Sequence, residues 1–177
     1  TAHLDKVMLN LAFESADTAL GKGAVLVDSG ANEVVRPYVQ GWYDEIMRGE
    51  KGRRVAVSMA GGGASCAVMT QHGEVMIPVG ENQKTPESAH WIVPCCRLIN
   101  ELGCSVNQNF KGMEIRLPSG KRLVTVPYNG LNFIRWEDFV NIKDELAASH
   151  RNGRPKYGGT ACMMMDSVAW TTPGIVG

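Results

Sequence analysis

The sequence predicts a mainly β fold that continues into a hairpin and an amphipathic helix. Three observations lead there. Ala24-Val25-Leu26-Val27 is an unbroken apolar run, as expected of a strand buried on both faces, and it stops at Asp28-Ser29-Gly30, residue types that favour a sharp turn. Short runs with β character recur at 55–60, 66–69 and 74–79. Residues 113–117 and 122–126 alternate apolar and polar around Pro118-Ser119-Gly120-Lys121, a hairpin pattern, after which the spacing turns helical over 135–150.

Along the chain, residues 4–13 fit either period. Val7, Leu9, Leu11 and Phe13 alternate as a strand would, whereas Leu4, Val7, Met8 and Leu11 fit a helix. The expectation adopted is a strand, forming a hairpin with the Asp28 strand through the turn Gly21-Lys22-Gly23. Trp42, Ile46 and Met47 suit one face of a short helix, and Glu50-Lys51-Gly52-Arg53-Arg54 reads as a charged, solvated loop. His72-Gly73 separates two strands, and 81–90 is a polar surface loop with Pro86. Residues 91–106 read as strand, short helix and an exit at Gly103. In 135–150, Trp136, Phe139, Val140, Lys143 and Leu146 align on one side, with Glu137 and Asp138 early and His150 late, as a helix dipole prefers. The last 25 or so residues, with Met163-Met164-Met165 among Gly and Pro, read as a tail poorly ordered on its own.

An acidic residue at the end of a buried strand is costly to bury unless it is hydrogen-bonded or paired, which makes Asp28 the first candidate for chemistry. The pattern apolar-apolar-Asp28-Ser29-Gly30-Ala31 resembles the signature of aspartic peptidases, in particular the retropepsin-like domains of retrovirus- and retroelement-type polyproteins. A second stretch, Trp91-Ile92-Val93-Pro94-Cys95-Cys96-Arg97-Leu98-Ile99-Asn100-Glu101-Leu102-Gly103-Cys104, is similar to that family's apolar strand, short helix and Leu-Gly-Cys exit. The resemblance covers roughly residues 5–110 and implies a closed β-barrel with one short helix. It departs from the family where a Gly followed by Arg, Asn or Asp is usual, because Pro94-Cys95-Cys96 stands there; the family's residues brace the active-site turn.

The resemblance implies a retropepsin-like domain over 1–110, beyond which the residue pattern gives a hairpin-plus-helix extension over 111–150 and the tail over 151–177. It implies catalytic Asp28, Ser29 and Gly30, a substrate cleft lined by Ala31 and Asn32, and a flap at Gly61-Gly62-Gly63, with Gln71-His72-Gly73 as second choice. The chain holds one such turn: Met163-Met164-Met165-Asp166-Ser167 continues with Val168 where a glycine is needed. Two carboxylates must therefore come from two copies of the chain, giving a homodimer with Asp28 at its two-fold axis. One Asp28 would act as base on a water and the other as acid on the peptide carbonyl. The expected partners are a second copy of the chain and a peptide or polyprotein substrate. Two alternatives stand beside this: a catalytically inactive dimerisation or peptide-binding module, and a structural subunit of a larger assembly.

Composition bounds these readings. The 177 residues are 44% hydrophobic, enough for a domain with a real core plus an extension. Lys+Arg and Asp+Glu are each 18, so nothing points to a nucleic-acid surface. No apolar run approaches the ~20 residues of a membrane span. Five cysteines (Cys66, Cys95, Cys96, Cys104, Cys162) cannot all pair within one chain and lack C-x-x-C spacing, so thiols in a reducing intracellular compartment are expected. Adding His72 and His90 does not give a spacing that requires a metal, and no cofactor is expected. A chain that opens on Thr1 is expected to be cut from a longer one, by processing or by cloning.

Overall fold

The computed structural model describes residues 2–58, 64–78 and 90–157. Among them the chain forms helices α1 (Ala2–Leu20), α2 (Gln40–Met47), α3 (Cys95–Leu102) and α4 (Trp136–Arg151). The strands are β1 (Val25–Asp28), β2 (Val34–Val35), β3 (Gly52–Ser58), β4 (Ala64–Thr70), β5 (Glu74–Met76), β6 (Ile92–Pro94), β7 (Ser105–Asn109), β8 (Gly112–Arg116), β9 (Arg122–Val124), β10 (Val126–Tyr128) and β11 (Leu131–Ile134). Eight strands make one mixed sheet in the order β10-β11-β1-β6-β2-β5-β4-β3, and β7-β8-β9 make a second.

The apolar run of β1 occupies the interior of the large sheet, antiparallel to β11 and parallel to β6. Because side chains alternate along a strand, both faces must be covered. Leu26, Ile92 and Phe133 join one core with Ala12, Phe13 and Ala16 of α1. Val25, Val27, Val93 and Ile134 join the other, closed by Leu98 of α3, Met113, Ile115 and Leu123 of the small sheet, and Phe139, Ile142 and Leu146 of α4. A third cluster, Ile46, Val68 and Met76, lies beneath α2. Burying each of the large apolar side chains stabilises the fold by about 1.5–3 kcal/mol before ordering costs.

The implied closed barrel with one short helix is not what the described residues form. The large sheet begins at β10 and ends at β3, which do not pair, and four helices are present. Helices and a second sheet cover its two faces, so the sheet buries its apolar side chains without closing. Its free edges are blunted in the usual ways: Pro127 sits in β10, and exposed Arg53 and Arg54 sit in β3. Those arginines correct the charged-loop reading of 50–54. They pair with Met69 and Val68, and an edge strand holds charged side chains in water at little cost.

Residues 4–13 are helical, not a strand. Alternation would put Leu11 and Phe13 on one face, yet Leu11 is 50% exposed while Phe13 is 1% exposed, and Ala12, Phe13 and Ala16 share the buried face. The helix ends with the Gly21 N–H on the Asp17 carbonyl, while Asp17 Oδ1 accepts the Ala24 N–H at 2.9 Å and aims the chain into β1. The expected helices near Trp42 and over 135–150 and the strand–helix unit at 91–103 are present, and the 113–117/122–126 hairpin forms between β8 and β9, although β9 ends at Val124 and Val126 already belongs to β10 of the large sheet. Strand β5 ends at Met76, short of the expected 79, and residue 79 lies outside the described set. Residues of the segment read as an extension enter the main sheet: β11 pairs with β1 through Val25↔Ile134, Leu26↔Phe133 and Val27↔Asn132. Among the described residues no helix is long and apolar enough to cross a membrane.

Candidate active site

Strand β1 delivers Asp28 to its C-terminal end, opposite Pro94 of the parallel strand β6. The chain then turns through Ser29-Gly30, and Asp28 Oδ1 accepts the Gly30 N–H at 2.7 Å. A short polar side chain bonding the backbone two residues on is how Asp fixes a turn. Gly30 is buried and does not sit at positive φ, so its N–H is what the turn uses. Asp28 and Ser29 are half-buried. Burial pushes the Asp28 carboxyl up from 3.8 to about 6, against the smaller opposite pull of the Gly30 N–H. A carboxyl in that range exchanges a proton near neutral pH, but one carboxyl cannot be base and acid at once.

Ala31 is 2% exposed, and its carbonyl accepts the Cys96 thiol at 3.5 Å. Asn32 is half-buried beside it. Gly61, Gly62 and Gly63 lie outside the described residues, as do Asp166 and the tail from 158. The three glycines fall in the connection between β3 and β4, which pair up to Ser58↔Ala64. The second-choice segment Gln71-His72-Gly73 is at the other end of that hairpin, where the Gln71 N–H meets the Lys51 carbonyl.

The departure at Pro94-Cys95-Cys96 opens α3 directly. Pro94 is its N-cap, Cys95 and Cys96 are buried at 0% and 1%, and Cys95 Sγ lies 3.7 Å from Met113 Sδ. Gly103 takes the left-handed conformation that ends the helix (φ 70°), as the Leu-Gly-Cys exit suggests.

Support for this region comes from residues that the sequence motifs did not single out. Arg97 donates through Nε and Nη2 to Glu101 at 2.6 and 2.8 Å, and Nη2 also reaches the Leu146 carbonyl at 3.2 Å. Ser149 Oγ donates to Glu101 at 2.7 Å, so α3 and α4 share one carboxylate. Burial pushes the Glu101 carboxyl up, but the Arg97 guanidinium and the Ser149 hydroxyl outweigh it and hold the group below the ordinary range. Arg154, past the end of α4, donates through Nη1 and Nη2 to Glu33, both at 2.7 Å. The i,i+4 spacing of Arg97 and Glu101 was a legible signal. Glu33 and Arg154 are 121 residues apart, and no local pattern joins them.

Two surface hollows lie elsewhere. One of about 150 Å³ is bounded by Trp42, Glu45, Ile46, Lys51 and His72, and one of about 380 Å³ by Leu20, Arg122, Ile134 and Asp138. Neither borders Asp28. Among the described residues no group of three or more His, Cys, Asp or Glu side chains is placed to hold a metal. Comparison with family models, with curated proteins and with solved structures gives no match.

Proposed function

We propose that this chain is a retropepsin-like aspartic endopeptidase that acts as a homodimer, with polyprotein processing as its role. The observation that carries the reading is the Asp28 carboxyl: at the end of a buried strand, fixed by the Gly30 N–H, and raised to about 6. Parallel β6 leading into α3, and the β3–β4 hairpin whose connection contains three glycines, are consistent with the same reading. The thiols of Cys66, Cys95, Cys96 and Cys104 suit a reducing compartment.

In the proposed dimer, Asp28 meets Asp28 of the partner subunit and the two share one proton, since adjacent like charges resist ionising together. The ionised member removes a proton from a water held between them. The protonated member donates to the carbonyl oxygen of the scissile peptide as the water oxygen adds to its carbon. Collapse of the resulting diol returns a proton to the leaving nitrogen, releasing an acid and an amine with no covalent enzyme intermediate. Ser29 hydrogen-bonds across the two-fold axis, Ala31 and Asn32 line the cleft, and the flap's part is assigned to Gly61-Gly62-Gly63.

The test is cleavage of an unstructured protein substrate between pH 4 and 7, with Asp28→Asn as control and a statine-type inhibitor as a second arm. Cleavage that is lost in Asp28→Asn and blocked by the inhibitor supports the reading. Cleavage unchanged in Asp28→Asn removes it. A stable dimer that binds peptide but cleaves nothing favours the inactive-module alternative.

A further inference from the structure

We propose that Arg154 is a positioning residue for the Asp28 turn, so that the segment beyond α4 belongs to the support of the active centre. The proposal rests on the peptidase reading for its catalytic consequence and on geometry for the positioning itself. Between β1 and β2 the chain runs Ser29-Gly30-Ala31-Asn32-Glu33, and Glu33 is its one charged residue. The ties on that short connection include three. Asp28 Oδ1 holds the Gly30 N–H, the Cys96 thiol holds the Ala31 carbonyl, and Arg154 grips both Glu33 oxygens at 2.7 Å. The first tie is local and the second is a weak thiol hydrogen bond. The third is a two-pronged, charge-assisted pair, the geometry that fixes direction as well as distance.

Arg154 is itself held. Its Nε donates to His150 Nδ1 at 3.0 Å, so three guanidinium nitrogens have directed partners. The pair is largely withdrawn from solvent, with side-chain exposures of 26% for Arg154 and 15% for Glu33. Its seat against the β4–β5 turn requires Gly73: a Cβ there would stand 2.5 Å from His150 Cγ and 3.1 Å from Arg154 Nη2. One guanidinium thus joins the far end of the acidic turn, the end of α4 and the base of the β3–β4 hairpin. It adds from the C-terminal side a charge-assisted brace beside the weaker Cys96 thiol contact with the Ala31 carbonyl.

The experiment compares the full chain with Arg154→Met, Arg154→Lys and the exchange pair Glu33→Arg/Arg154→Glu. Three quantities are read: amide hydrogen exchange at Gly30 relative to Ile115 in β8, and kcat and KM on a peptide that the unaltered chain cleaves. In Arg154→Met, Gly30 exchange should rise about tenfold with Ile115 unchanged, because only the local opening becomes easier. The same variant should lose about tenfold in kcat with KM nearly constant, as expected when a reacting group is misplaced while substrate binding is untouched. Arg154→Lys should fall between, and the exchange pair should recover both readouts. Gly30 and Ile115 changing in parallel, or neither changing, overturns the proposal and leaves Arg154 a general stabiliser. If the unaltered chain cleaves nothing, the peptidase reading fails, and the Gly30-to-Ile115 exchange ratio alone decides the positioning.

Discussion

Asp28 and Glu101 carry opposite pH signatures: burial is the largest influence at both, but at Glu101 the Arg97 guanidinium, the Ser149 hydroxyl and the charge of Arg154 together outweigh it. The Asp28 carboxyl is raised to about 6, so the folded chain holds a proton that the unfolded chain releases from pH 3.8 upward. Its destabilising contribution is absent below the unfolded value, grows as pH rises, and is complete above about 6. Asp28→Asn should therefore stabilise the isolated chain at pH 7.5 by about 1–3 kcal/mol, with the gain vanishing below about pH 4. Denaturant titrations at the two pH values measure it, and a difference independent of pH contradicts the burial account. Glu101 is lowered, so its contribution is present above the ordinary Glu range and is lost as pH falls through the folded value. Glu101→Gln leaves Arg97, already with Nη1 unpartnered among the described residues, buried without its counter-charge. The expected loss at pH 7 is about 3–5 kcal/mol. Gly73→Ala meets both a positive φ of 78° and the His150 ring, and should cost about 2–4 kcal/mol.

The elements differ in how far local sequence determines them. Strand β1 was legible because its apolar run ends at a turn former, and α4 because apolar spacing and charge placement agree. In α1 two periods fit the same residues, and packing of Ala12, Phe13 and Ala16 under the sheet chose between them. Strand β3 was legible only in part, since Arg53 and Arg54 resemble a loop unless the strand is known to be an edge. The β10–β11 hairpin has its own local signal. Asn129-Gly130, both at positive φ (51° and 77°), is the two-residue turn that suits a strand pair. Replacing Gly130 by Val should impair that turn and, through β11, the partner edge of β1. Near-UV circular dichroism reads the effect, and an unchanged spectrum and melting temperature would contradict it.

Across the whole molecule, β1 depends on partners on both sides of it in the chain, with Ala12, Phe13 and Ala16 of α1 packed against one face. It pairs with β11, and the core beneath it includes Phe139, Ile142 and Leu146 of α4. A fragment of residues 1–110 would expose the β1 edge and one apolar face of the sheet, and is expected to aggregate or remain without dispersed amide resonances. A well-dispersed spectrum of that fragment would show that 111–150 is dispensable for folding. The site is legible in part for the same reason of range. Asp28, Ser29, Gly30, Ala31 and Asn32 are contiguous and can be read from a motif, whereas Glu33 and Arg154 meet only after α4 has packed.

The proton-sharing pair is tested most directly by mixing the unaltered chain with growing amounts of Asp28→Asn at fixed total concentration and measuring peptide cleavage. If each active centre takes one Asp28 from each of two chains, activity should fall as the square of the unaltered fraction once the subunits have exchanged. A fall in simple proportion to that fraction would mean that each chain works alone, and would contradict the account.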